Sequence, residues 1–160
     1  TGWLNELSFG PVDFNPESII DEWSGDYGVG CKYFSQDAVI KLAKMANIDI
    51  PNHLTLAEKL VFIQDLVKDG NKKALEIFTN IGVYLGYSLA FYDLFYDLKN
   101  ILVLGRVTSG KGGLAMVKAA KRVLRSEFPE LYSKIKLILP DEKSRRVGQS
   151  IAAASLPRLK

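Results

Sequence analysis

Gly105, Gly110, Gly112 and Gly113, with Arg106, Thr108, Ser109 and Lys111 among them, fall between an apolar run and a helical pattern. Backbone N–H groups with no Cβ beside them can approach an anion closely, and the first turn of a helix adds a favourable field. Phosphate is therefore the chemistry to consider, and a nucleotide the first ligand. Gly105, Gly110 and Lys111 match the spacing G-x-x-x-x-G-K of a phosphate-binding P-loop, but Gly112 stands where that motif needs the hydroxyl that holds Mg²⁺. No later strand ends in an obvious metal-binding aspartate. The alternative is a strand-to-helix turn that uses its glycines only for backbone angles.

A second polar constellation is Asp21-Glu22-Trp23-Ser24-Gly25-Asp26. Carboxylates beside an aromatic ring suit a sugar, whose hydroxyls bond to Asp or Glu while its apolar face packs on Trp. The competing reading is a turn in which Asp and Ser serve local backbone bonds. A single cysteine, Cys31, and a single histidine, His53, leave too few soft ligands for a structural zinc site.

The elements that must hold these residues follow from apolar spacing. Residues 1–34, rich in Gly, Pro, Asp and aromatics, read as an irregular region with short strands near Leu4 to Phe9 and Gly30 to Phe34. Ser35 can cap a helix carrying Val39, Leu42, Ala43 and Ala46 on one face. Thr55 with Glu58 is a capping-box signature ahead of Leu60, Ile63 and Val67, and Gly70 closes that helix. A long helix from about Lys72 to Leu98 is apolar on most sides and should be central. Its Gly82 and Gly86 suit a close approach by a neighbouring element. Ile101 to Leu104 read as a strand buried on both faces. A helix from about Gly113 to Glu127 then leads through Pro129 to a strand near Lys134 to Leu139, for which parallel pairing across a crossover is the simplest outcome. A last helix is expected over Ser144 to Ser155.

At 160 residues the chain suits one domain or one lobe of a larger protein. It opens Thr1-Gly2-Trp3 without an initiator methionine, as an excised fragment would. The sequence offers no apolar stretch judged long enough to cross a bilayer and no secretory signal, so cytoplasmic residence is the expectation. A formal net charge of +3 does not by itself argue for nucleic acid. The late cations Lys118, Lys121, Arg122 and Arg125 describe a solvated helix face, with anionic phosphates as the other option.

Ala74 to Leu104, the turn after it and the final Val147-Gly148-Gln149-Ser150-Ile151-Ala152-Ala153-Ala154 resemble the C-terminal half of the ROK family, bacterial sugar kinases and sugar-responsive repressors. The resemblance implies an α/β fold, the C-terminal lobe of an actin-like ATPase (ribonuclease H-like), with a short, mostly parallel sheet packed with several helices. It implies a sugar-side region over 1–34, a helical part over 35–98 and a nucleotide side over 99–160. Gly105, Arg106, Val107, Thr108, Ser109, Gly110 and Gly112 would then contact a nucleotide, ATP with Mg²⁺ in the complete protein. The catalytic base and the first phosphate loop would lie in a missing N-terminal lobe.

The chain also departs from the family pattern. Trp3 and Glu6 occupy the positions of a sugar-binding glutamate and a zinc-binding histidine, and the cysteine cluster falls on Ser24, Asp26 and Cys31, so no structural zinc is expected. Tyr33 replaces a second sugar-binding glutamate, which leaves Asp21, Glu22 and Asp26 as the substitute hydroxyl ligands. Arg106 stands for the second glycine of the adenosine turn, where it would either block the base or clasp it. A sugar kinase leads, a sugar-sensing regulator that meets nucleic acid only through a segment outside this chain is the alternative, and a homodimer built on the aromatic long helix is the third reading.

Overall fold

The computed structural model describes residues 7–141. At its N-terminal end Leu7–Phe9 form a 3₁₀ turn and Gly30–Tyr33 a short helix, α1. No strand forms at Leu7–Phe9 or Gly30–Phe34, Leu4 to Glu6 of the first expected strand lying outside the described residues, and the pairing among residues 7–34 is limited to two antiparallel bridges, Pro11 with Val29 and Ile20 with Tyr27. The reason lies in what the region packs on. The Tyr92 hydroxyl donates to the Leu7 carbonyl at 3.1 Å, and Gly10 and Gly30 lie so close to that tyrosine that an added Cβ would come within 3.0 Å and 3.2 Å of it. Local turns fold around one aromatic side chain where longer strands would have had no sheet to join.

Capping chemistry sets the helices that follow. The Ser35 hydroxyl accepts the Asp37 N–H and starts α2 (Gln36–Met45), which ends where Asn47 turns to a φ of 53°. Thr55 and Glu58 form the expected capping box on α3 (Leu56–Lys68), and Gly70 takes the φ of 87° that closes it. Asn71 caps α4 (Lys72–Tyr92) through the Ala74 N–H. This helix stops six residues before the expected Leu98, because the carbonyls of Leu89, Phe91 and Tyr92 close into turns with Asp93 to Tyr96. By length and hydropathy α4 could cross a membrane, which corrects the sequence reading; half of its apolar window is buried inside this protein.

Strand β1 (Asn100–Leu102) pairs in parallel with β2 (Lys136–Ile138), Ile101 facing Leu137, with α5 (Gly110–Glu127) and α6 (Pro129–Lys134) between them in the chain. The parallel crossover is as expected. The burial of the first strand is not: Leu102 is 58 % exposed, because among the described residues helices cover the pair on one side only and no third strand joins it. Helix α6, opened by Pro129 at its first turn, was not anticipated.

Helices α4 and α5 make the central contact. A Cβ on Gly82 would lie 2.1 Å from the Met116 carbonyl oxygen, and one on Gly86 would lie 2.8 Å from Val123. One core cluster, around Phe78, Ile63, Leu60 and Val39, joins α2, α3 and the first half of α4. Another, around Leu89, Tyr92, Ala120 and Leu124, joins the second half of α4 to α5, α6 and the strands. Burying one such side chain contributes about 1.5–3 kcal/mol. These clusters fix α5, and α5 fixes the glycine-rich turn at its start.

Candidate functional site

The turn between β1 and α5 is shaped by packing. Gly105 and Gly110 have φ of 106° and 63° with open space where a Cβ would be, so their backbone angles explain them. Gly112 and Gly113 lie inside α5, which starts three residues before the expected Gly113. A Cβ on Gly112 would meet the Phe78 ring at 2.9 Å, and one on Gly113 would come within 1.8 Å of the Thr108 carbonyl oxygen. Arg106–Thr108 form a 3₁₀ turn that buries Val107 and Thr108. The Thr108 hydroxyl donates to the Gly105 carbonyl at 2.7 Å. Arg106 stays exposed, while its own carbonyl accepts the Gln64 side-chain amide at 2.9 Å.

Opposite this turn, segment 20–37 brings four charges together. The Lys32 ammonium lies 3.2 Å from Asp37 and 3.8 Å from Asp21, and it also pairs with Glu22. Glu22 and then Asp37 hold that ammonium well above the ordinary lysine range, against the opposing effect of burial. Asp21 is held below its ordinary value first by the Ser24 backbone N–H, which it accepts at 2.8 Å. Its other oxygen accepts the Cys31 thiol at 3.6 Å. Burial, reinforced by the Asp21 charge, pushes that thiol up to about 11. Among the described residues no group of three His, Cys, Asp or Glu side chains could hold a metal ion; the lysine is the cation at this point.

Between the two lies a cleft of about 470 Å³. Of the residues singled out from the sequence, Asp21, Gly105, Arg106 and Val107 line it. Thr108 and Gly112 are buried and do not line it, nor do Ser109 and Gly110; Glu22 reaches Lys32 from the surface, and Asp26 sits on the exposed turn. Asp26 and Ser24 serve the local backbone bonds of that turn, and Trp23 is 84 % exposed against Phe9. Sequence reasoning missed Lys32 and Asp37, and missed Ser35 and Gln36 as cleft residues. The signal was available in part: one lysine in a segment otherwise charged by Asp21, Glu22, Asp26 and Asp37.

The fold and this cleft define a helical α/β lobe in which a long buried helix leads to a strand, a glycine turn and a second parallel strand, with a polar groove beside the turn. No family model matches the chain, and no curated protein matches it. A solved structure does: the crystal structure of the ROK family transcriptional regulator, homologue of the E. coli Mlc protein, with a TM-score of 0.61 and 16 % identity over 89 % of this chain. The chain therefore has a ROK-like fold. It spans 37 % of the length of that regulator. The glycine-alanine motif at 147–154 and the departures at Trp3 and Glu6 lie outside the described residues.

Proposed function

We propose that the chain is the C-terminal lobe of a ROK-like protein, built as in the actin-like ATPases, which binds a small polyol such as a sugar in the cleft between segment 20–37 and the turn at Gly105. One observation carries this reading: Asp21, Lys32 and Asp37 share a cavity with Gly105, Arg106 and Val107, although about seventy residues separate the two sets in the chain. Carboxylates, an ammonium and a guanidinium offer acceptors and donors to hydroxyl groups, and Leu60, Phe34 and Leu104 offer apolar faces.

The complete protein is then a ligand-responsive regulator, in which binding shifts the relation between this lobe and one outside the chain and so acts on nucleic acid held by another segment. Packing favours this over the sugar kinase. Phe78 fills the space beside Gly112 and the Thr108 carbonyl the space beside Gly113, so packing accounts for these two glycines without a bound phosphate. Calorimetric titration of the complete protein with a panel of sugars, with and without Mg-ATP, decides the matter. Sugar binding that needs no nucleotide and weakens in Arg106→Ala is the expected result. Phosphoryl transfer to a sugar hydroxyl would replace the regulator with the kinase, and a protein silent to every sugar would refute the cleft.

A further inference from the structure

Lys118, Lys121, Arg122 and Arg125 recur on α5 at the i, i+3, i+4, i+7 spacing that puts side chains on one stripe. All four are exposed, and none has an ion-pair or hydrogen-bond partner among the described residues. The contrast with other lysines is sharp: Lys32 sits among three carboxylates, and Lys134 reaches Asp93 at 2.9 Å and Asp97 at 3.1 Å. Like charges one turn apart destabilise a helix by a few tenths of a kcal/mol per pair, so the stripe is a cost to the isolated fold.

The stripe also forms one wall of a groove of about 880 Å³ between α4, α5 and α6. No carboxylate lines it. Leu75 from α4, Leu114 from α5 and Tyr132 from α6 line it too, and they are 41 %, 63 % and 38 % exposed. A solvated helix face accounts for the cations alone. It does not account for apolar side chains gathered around a concave surface beside them.

We infer that this groove docks an acidic, amphipathic segment of a partner protein, whose apolar side chains seat on Leu75, Leu114 and Tyr132 while its carboxylates meet the α5 stripe. From Lys118 to Arg125 the stripe spans about 10 Å, two helical turns, so a helix with carboxylates one and two turns apart matches it. Charge excludes the nearer candidates. Residues 142–160 carry Lys143, Arg145, Arg146, Arg158 and Lys160 against Glu142 alone, a charge of the same sign as the stripe. A second copy joined through the same groove would set the four cations against four more. A nucleic-acid backbone would use the cations and leave the three apolar side chains uncovered.

The test is an NMR titration of the isotopically labelled chain with a synthetic peptide of about 15 residues carrying Glu on one helical face and Leu on the other. Shifts confined to 114–125 and the surroundings of Leu75 and Tyr132 are expected. The double substitution Lys121→Glu/Arg122→Glu should weaken binding by about tenfold or more at low salt, and added salt should bring the wild type toward the variant. Leu114→Ser, exposed and so tolerated by the fold, should weaken it independently. No binding, shifts elsewhere, or binding unaffected by these substitutions overturns the inference. So does tighter binding at the groove by duplex DNA, by phosphatidylserine vesicles or by a peptide of residues 142–160.

Discussion

Replacing Gly113 with alanine adds one methyl group to the first turn of α5, where helix propensity alone favours alanine by about 1 kcal/mol. The structure reverses that sign. The added Cβ would lie 1.8 Å from the Thr108 carbonyl oxygen, where ordinary contact begins at 3.4 Å. Thr108 has little freedom to retreat, being 1 % exposed, with its hydroxyl and its N–H both donating to the Gly105 carbonyl, at 2.7 Å and 3.1 Å. Overpacking costs about 1–3 kcal/mol, and each of those hydrogen bonds about 1 kcal/mol if lost. Against the propensity gain, the net expectation is a destabilisation of about 3 kcal/mol, or roughly 6–12 °C in Tm for a chain of this size. Urea and thermal unfolding followed by circular dichroism measure it. An unchanged or raised midpoint refutes the packing account of this glycine; unchanged stability with lost ligand affinity would return it to the ligand-binding role.

Two further outcomes concern the charged wall of the cleft. Glu22 lies below its ordinary 4.5 chiefly through Lys32, whereas Asp21 lies below its ordinary 3.8 chiefly through the Ser24 N–H. A carboxylate lowered by folding stabilises the native state above its unfolded value, and that stabilisation is lost as pH falls through the lowered one. Lys32→Met should therefore return Glu22 toward its ordinary value and leave Asp21 depressed, as read by carboxyl-detected NMR titration; equal upward movement of both would be evidence against the Ser24 bond. The Cys31 thiol, raised to about 11 chiefly by burial, should be almost wholly protonated at about pH 8 and react slowly with a thiol-specific reagent. Labelling at the rate of the unfolded chain would contradict that environment.

Local chemistry was legible in the sequence wherever it is short-range. Ser35, the Thr55–Glu58 box and Gly70 act within one helical turn, so type and spacing were enough. The close approach at Gly82 and Gly86 was also legible, because a pair of glycines in an apolar helix has few other uses. The strands near Gly30 and the two-sided burial of β1 were misjudged because both depend on a neighbour. Gly30 packs under Tyr92, and among the described residues Leu102 has helices on one side of its sheet only.

The glycine-rich turn divides along the same line. Composition by itself determined that a tight turn joins a strand to α5, because Gly105 and Gly110 take positive-φ backbone angles that side-chain-bearing residues rarely adopt. It could not decide whether the remaining glycines leave room for a ligand or for Phe78 and Thr108, since the two uses require the same missing Cβ. Only tertiary packing fills those spaces from within, Phe78 of α4 beside Gly112 and the Thr108 carbonyl of the 3₁₀ turn beside Gly113, and only the folding of segment 20–37 across the turn sets Lys32 and Asp37 beside Arg106. Distances along a chain carry no information about which side chains a cavity gathers; tertiary contact supplies it.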